Sequence, residues 1–268
     1  MLLRRLGSTD LEISPLGLGT VKFGRNKGVK YPEAFELPDD ETLLDLLACT
    51  RDLGINFLDT APAYGESEAR LGRLLRGQRQ HWILATKAGE SFDPESGESS
   101  YDFTPEALIR SVETSLRRLA TDYLDLVMIH SDGDDERIIH RLGALEVLAD
   151  LKKRGWIRAS GMSTKTVAGG LAALGQSDCA MVTLNIDDLE QLPVIEQART
   201  SGKGIIIKKA LASGHTAKDQ ARQDPVREAF ELSLTQPGVT SVVVGTINRR
   251  HLEANVAIAN QILASSSH

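Results

Sequence analysis

Cysteine is scarce in this 268-residue sequence: only Cys49 and Cys179 occur, in no metal-ligand spacing. A disulfide scaffold is excluded, no metal site is expected, and a reducing, cytoplasmic compartment is the simplest setting. No basic block is present, and 31 Lys plus Arg against 37 Asp plus Glu leave a formal charge of −6. Phosphate backbones are gripped by clustered Lys and Arg, so no nucleic-acid partner is expected. No apolar run approaches the ~18 residues of a membrane span. The opening MLLRRLGSTDLEIS has neither the apolar stretch nor the cleavage site of a signal peptide. No Pro- or Ser-rich linker divides the chain, so residues 1–268 read as one domain, long enough to bury a full core unaided.

What is present is an alternation. Short apolar runs at 13–19, 55–59, 82–87, 124–130, 157–163, 180–185, 204–208 and 239–245 read as strands. Several, such as LDLVMIH, GIIIKK and VTSVVVG, are nearly continuous, which marks parallel strands buried on both faces. Helical patterns fill the gaps at 39–53, 66–76, 105–119, 135–153, 165–174, 189–200, 224–236 and 249–263. Acidic residues open the first of these. Thr104 and Pro105 fit an N-cap followed by the first helical position, and Leu108, Val112, Leu116 and Leu119 form one apolar face. Gly54, Gly155 and Gly202 follow helix ends, as C-terminal caps do.

Eight β-then-α units in series predict an α/β fold, a (β/α)8 TIM barrel. A doubly wound sheet is the alternative, disfavoured because no G-x-G-x-x-G follows the first strand. Residues 1–12 are expected to form a hairpin across the barrel bottom, and 22–38 and 91–103 to be long βα loops.

In such a barrel the site lies at the C-terminal ends of the strands. The second, third and fourth strands close on Asp59, Lys87 and His130. Each has an ordinary reading alone: a loop cap, a buried ion-pair partner, a satisfied core histidine. Tyr64, just beyond Asp59, is equally a surface loop aromatic. Three ionisable residues ending three consecutive strands are not explained by packing.

The chain resembles an aldo-keto reductase over essentially its whole length, most specifically in INFLDTAPAYG, LATKAG, LDLVMIH and VVVGTINRRHLEAN. The resemblance implies a catalytic tetrad at Asp59, Tyr64, Lys87 and His130. It implies reduction of a small aldehyde or ketone to an alcohol, or the reverse, by a cytoplasmic enzyme that is a monomer. Side chains supply no hydride, so a nicotinamide cofactor is needed. NADPH is expected, with NADH as the other candidate.

Tyr64 would be the proton donor. An unperturbed phenol has a pKa of ~10, and bringing it to ~7 takes ~4 kcal/mol. An ammonium ~4 Å away supplies about that at an effective dielectric of ~20. Lys87 is the candidate, Asp59 would hold it in place, and His130 would hydrogen-bond the substrate oxygen.

By resemblance, Gly19 and Thr20 lie near the nicotinamide and Ser163 holds its carboxamide. Thr164 stands where the family usually has Asn, Met181 where it has Gln, and Lys208 where an aromatic stacks on the ring. An ammonium at Lys208 would disfavour the positively charged oxidised ring. Equally, it would bind the pyrophosphate or loop carbonyls. Gly245, Thr246 and Asn248 begin the turn into the last helix, whose N-terminus favours anions. Arg249, Arg250 and His251 there oppose the helix dipole, a conflict that a 2′-phosphate would relieve, which favours NADPH. His251 falls at the family's basic position, Ala254 at an acidic one, and Asn255 at the adenine contact.

Two other functions stay open: a nicotinamide-binding regulatory subunit with little turnover, and a lyase using Lys87 as a Schiff-base nucleophile. Asp59 argues against the latter by keeping Lys87 charged. The ending LASSSH is expected to leave no room for a long C-terminal loop. The substrate pocket would then be shaped by 22–38, 91–103 and 131–136, with Phe23, Tyr31, Phe35 and Phe92 available to line it.

Overall fold

A run that is apolar at every position must bury both faces of its strand, and a closed barrel sheathed in helices does this. In the computed structural model, which describes residues 1–216 and 222–265, the strands are β1 (Leu16–Gly19), β2 (Phe57–Asp59), β3 (Ile83–Ala88), β4 (Leu124–His130), β5 (Ile157–Ser163), β6 (Cys179–Thr183), β7 (Gly204–Lys208) and β8 (Val239–Val244). Each pairs in parallel with the next, and β8 returns to β1 through Val242 against Leu16. Besides a single helical turn at Val21–Gly24, the helices are α1 (Asp40–Asp52), α2 (Ser67–Leu74), α3 (Pro105–Arg118), α4 (Ala144–Lys153), α5 (Val167–Gln176), α6 (Leu192–Ser201), α7 (Pro225–Thr235) and α8 (Arg249–Ser265). This is a (β/α)8 TIM barrel. The last three residues of the LASSSH ending, 266–268, lie outside the described residues.

Two apolar clusters hold it. The larger lies between strands and helices and includes Leu58, Leu84, Val127 and Ile129. The smaller fills the barrel with Phe57, Ala85, Leu126, Met128, Ala159, Met181 and Ile206. Alternate residues of one strand thus go to different clusters, as a period of two requires.

The N-terminal hairpin pairs Arg4–Arg5 with Glu12–Ile13 in antiparallel register. It sends Leu6, Leu11 and Ile13 into the inner cluster, closing the end opposite the strand C-termini. Gly204, at the foot of β7, makes room for it, since a Cβ there would stand 2.4 Å from Leu6 Cδ1.

Three expectations change. The stretch 135–153 is not one helix: a π-helical turn at Arg137–Arg141 precedes α4, and Gly143 between them takes φ 63°. The loop after β3 contains a small hairpin, Glu90–Phe92 paired with Ser99–Tyr101. Thr104 precedes α3 but does not cap it with its side chain; its hydroxyl donates to Asp102 Oδ1 instead. Among the described residues no helix is long and apolar enough to cross a membrane.

Candidate active site

Strand parity brings three ionisable side chains together above the barrel interior. Phe57, Ala85 and Met128 face inward, and two residues beyond them come Asp59, Lys87 and His130, on the same faces. Register staggers these strand ends by two residues each, with Asp59 beside Ala85 and Lys87 beside Met128, while Gly19 stands beside Asp59 and His130 beside Ser163. Tyr64 comes from the short 3-10 turn Pro62–Tyr64 after β2.

Lys87 is 1% exposed. Its ammonium donates to Asp59 Oδ1 at 2.7 Å, to the Thr60 carbonyl at 2.9 Å and to the Tyr64 hydroxyl oxygen at 3.0 Å. An ammonium has three donors, so all are engaged. Held by these three partners, one of them a carboxylate, Lys87 is placed as an ion-pair partner of Asp59, an arrangement that disfavours Schiff-base chemistry.

Burial, reinforced by the nearby Asp59, pushes the Tyr64 phenol well above its ordinary range. The expectation that Lys87 draws Tyr64 down towards neutrality is therefore corrected. Asp59, bonded to the ammonium, opposes its field at the phenol, and burial disfavours phenolate. Tyr64 is a protonated phenol that accepts from Lys87. Among the described residues none accepts its own O–H.

The His130 ring stands edge-on to Tyr64, with centroids 6.3 Å apart. Its Nδ1 lies 2.6 Å from Glu90 Oε2. The approach is bent away from ideal hydrogen-bond alignment. Two lone pairs so close would repel, so Nδ1 carries a proton. Burial lowers the affinity of His130 for a second proton; Glu90 opposes this, while Lys87 and Lys208 add to it. Burial alone would raise the Glu90 carboxyl, but the His130 contact prevails and takes it down to about 2. Glu90 escapes a reading of the sequence because its only signal is an acidic residue three places past Lys87, between the strand 82–87 and the loop 91–103.

Asp59, Tyr64, Lys87 and His130 line a cavity of about 940 Å³ together with Gly19, Ser163, Lys208, Gly245, Thr246, His251 and Asn255. Three residues expected at a cofactor have side chains directed elsewhere. Thr20 Oγ1 donates to the Asp59 carbonyl and accepts from Ser67 Oγ. Asn248 Oδ1 accepts the His251 N–H at the start of α8. Arg249 is tied to Asp45 and Glu253. These three brace the site rather than face the cavity.

Lys208 Nζ donates to Ser163 Oγ at 2.8 Å and to the Thr164 carbonyl at 2.7 Å. Burial, then Lys209 and Lys87, lower it to about 7. Thr164 Oγ1 is buried in the cavity wall, with no partner among the described residues. From the first loop, Lys22, Tyr31, Pro32 and Glu33 reach the cavity. Tyr31 is pushed up to about 12 by burial and then by Asp59. Phe23 belongs to the outer core instead. Phe35 and Phe92 lie beneath the cations of Lys22 and Arg25.

The family model described as the Aldo/keto reductase family matches residues 15–233. Among curated proteins, the uncharacterized oxidoreductase YqkF of Bacillus subtilis is 30% identical over 96% of this chain and 90% of its own. The 6-dehydroglucose reductase of Novosphingobium aromaticivorans is 30% identical over 90% of this chain and 79% of its own. Among solved structures, one from Pseudomonas aeruginosa described as an aldo-keto reductase is 55% identical, with a TM-score of 0.88, covering 98% of this chain and 95% of that one.

Proposed function

This chain belongs to the aldo/keto reductase family, and we propose that it reduces an aldehyde or ketone to an alcohol with NADPH, using Tyr64 as proton donor. The family is one of nicotinamide-dependent oxidoreductases. The observation that carries the residue roles is the Lys87 ammonium, bonded at once to Asp59 and to the Tyr64 oxygen at the cavity wall.

The residues present suit the cofactor. Thr164 Oγ1 is a buried hydroxyl in want of a partner, beside Ser163 and the Lys208 ammonium, and an amide group would satisfy it. The cavity is large enough for a ligand of that class and extends to His251 and Asn255 at α8. Ser163, Thr164 and Lys208 would hold the nicotinamide end, and Gly245, Thr246, His251 and Asn255 the adenosine end. With Arg249 held by two carboxylates, a 2′-phosphate would fall to His251 and Arg250. When bound, the cofactor supplies the hydride that reaches the carbonyl carbon.

The chain's own residues handle the oxygen. Tyr64, kept protonated by its surroundings, gives its proton to the carbonyl oxygen as negative charge develops there. The phenolate left behind faces the Lys87 ammonium, which stabilises it in a water-poor site. Asp59 fixes that ammonium, and His130 hydrogen-bonds the substrate oxygen from the other side.

Loss of nicotinamide absorbance with 4-nitrobenzaldehyde tests this. Steady oxidation of NADPH, with a lower KM than for NADH, is expected. Tight NADPH binding without turnover on any aldehyde would instead leave a cofactor-binding regulatory module.

A further inference from the structure

Glu90 is a buried carboxylate that the proposed reaction leaves without a task. It begins the small hairpin after β3 and is 9% exposed. A charge in such a place is destabilising unless paired. Its pairing is with His130 Nδ1, at 2.6 Å.

We propose that Glu90 is a positioning residue for His130, holding one ring proton on Nδ1 and supplying the counter-charge for a second proton on Nε2. The inference rests on the reading that His130 meets the substrate oxygen. A neutral imidazole has one donor and one acceptor. With its proton on Nδ1, Nε2 presents a lone pair, which accepts from an alcohol O–H but repels a carbonyl oxygen. A second proton turns Nε2 into a donor, which is what a carbonyl oxygen requires. Glu90 therefore ties the direction of the reaction to pH. Carbonyl reduction favours the doubly protonated ring, and alcohol oxidation the singly protonated one.

The groups around His130 fix the sign. Lys87 from β3 and Lys208 from β7 oppose a second proton, as burial does. Asp59 is bound to Lys87, and Tyr64 stays neutral because burial and Asp59 hold its phenol protonated. On the far side of Glu90, Arg25 favours the carboxylate, and the Tyr101 phenol is held protonated by burial and by Glu90. Glu90 is thus the contact that favours the imidazolium. Without it, only the opposing influences remain.

The test is the titration of the His130 ring by NMR, identified by its loss in His130→Gln, together with pH profiles of kcat/KM in both directions. Glu90→Gln should lower the His130 midpoint by ~1–3 units, the usual effect of losing a close opposite charge. Reduction at pH 7 should fall ~10-fold or more, since one unit is tenfold in the doubly protonated population. Glu90→Asp, which keeps the charge, should restore most of the midpoint, and NADPH affinity should not change. A purely structural role would lower rates at every pH without moving the midpoint, and that result would overturn the proposal. If Glu90→Gln does not fold, 15N shifts of the wild-type ring decide, because an Nε2–H neutral tautomer is incompatible with it. The NMR readings need no turnover, so a shifted midpoint in a protein that reduces nothing would sink the reductase reading alone.

Discussion

Lys208 stands two places beyond Ile206 on the inward face of β7, its ammonium shared by the Ser163 hydroxyl and the Thr164 carbonyl. One of the roles read from sequence, a grip on loop carbonyls, therefore operates in the folded chain, and it brings the charge to the cavity. With Lys208 lowered to about 7, the ammonium is present below neutrality and lost above it. NADPH should accordingly bind more tightly than NADP+ at pH 6 and low salt, on the order of 10-fold from like-charge repulsion with the oxidised ring. The preference should shrink by pH 8.5 and be flat across pH in Lys208→Met. Fluorescence titration of both cofactor forms checks this, and identical ratios in the two proteins would contradict it. The type and place of Lys208 are visible in the string IIIKK. Its partners are not, because Ser163 and Thr164 come from another strand end.

Asp135 shows how the elements are locked. Its Oδ2 accepts from the Lys165 and Thr166 backbone N–H groups and from the Thr166 hydroxyl, tying the loop after β4 to the start of α5. Asp135→Ala would leave these donors without their acceptor in a largely buried place. A loss of more than ~2 kcal/mol is expected from urea unfolding, and an unchanged midpoint would contradict it. Elements of this kind were legible where one signal dominated. β4, β5 and β7 coincide with the runs at 124–130, 157–163 and 204–208, because continuous apolar strands have abrupt ends. The break at Gly143 was hidden because apolar spacing continues through it on both sides. The hairpin carrying Glu90 was hidden because Gly, Ser and acidic residues pattern like a loop, although its pairing is regular.

At the scale of the whole molecule the two barrel ends have separate tasks. Leu6, Leu11 and Ile13 plug one end, and the ionisable cluster occupies the other. Leu6→Ala should destabilise by ~2–5 kcal/mol, the usual range for a buried leucine. The KM for NADPH should stay within about twofold, since the plug lies at the foot of the strands, beside Gly204, and the cavity at their C-terminal ends. We propose that residues 1–268 unfold as one unit, so the variant should shift a single calorimetric transition; two transitions would contradict this. The barrel was legible from eight alternations, and the residue types of the site from their places at strand ends. Contacts between distant segments were not: Arg249 looked free for a phosphate because Asp45, its partner on α1, lies 204 residues away.

All of this turns on one phenol. The most direct measurement is the rate of NADPH oxidation by 4-nitrobenzaldehyde in wild type and Tyr64→Phe, with NADPH affinity read in parallel by fluorescence. The Lys87–Tyr64 geometry predicts that kcat falls by ~10²–10⁴-fold, the usual contribution of a positioned general acid, while NADPH binds within about twofold of wild type. A Phe variant that turns over like the wild type would show that the proton comes from elsewhere.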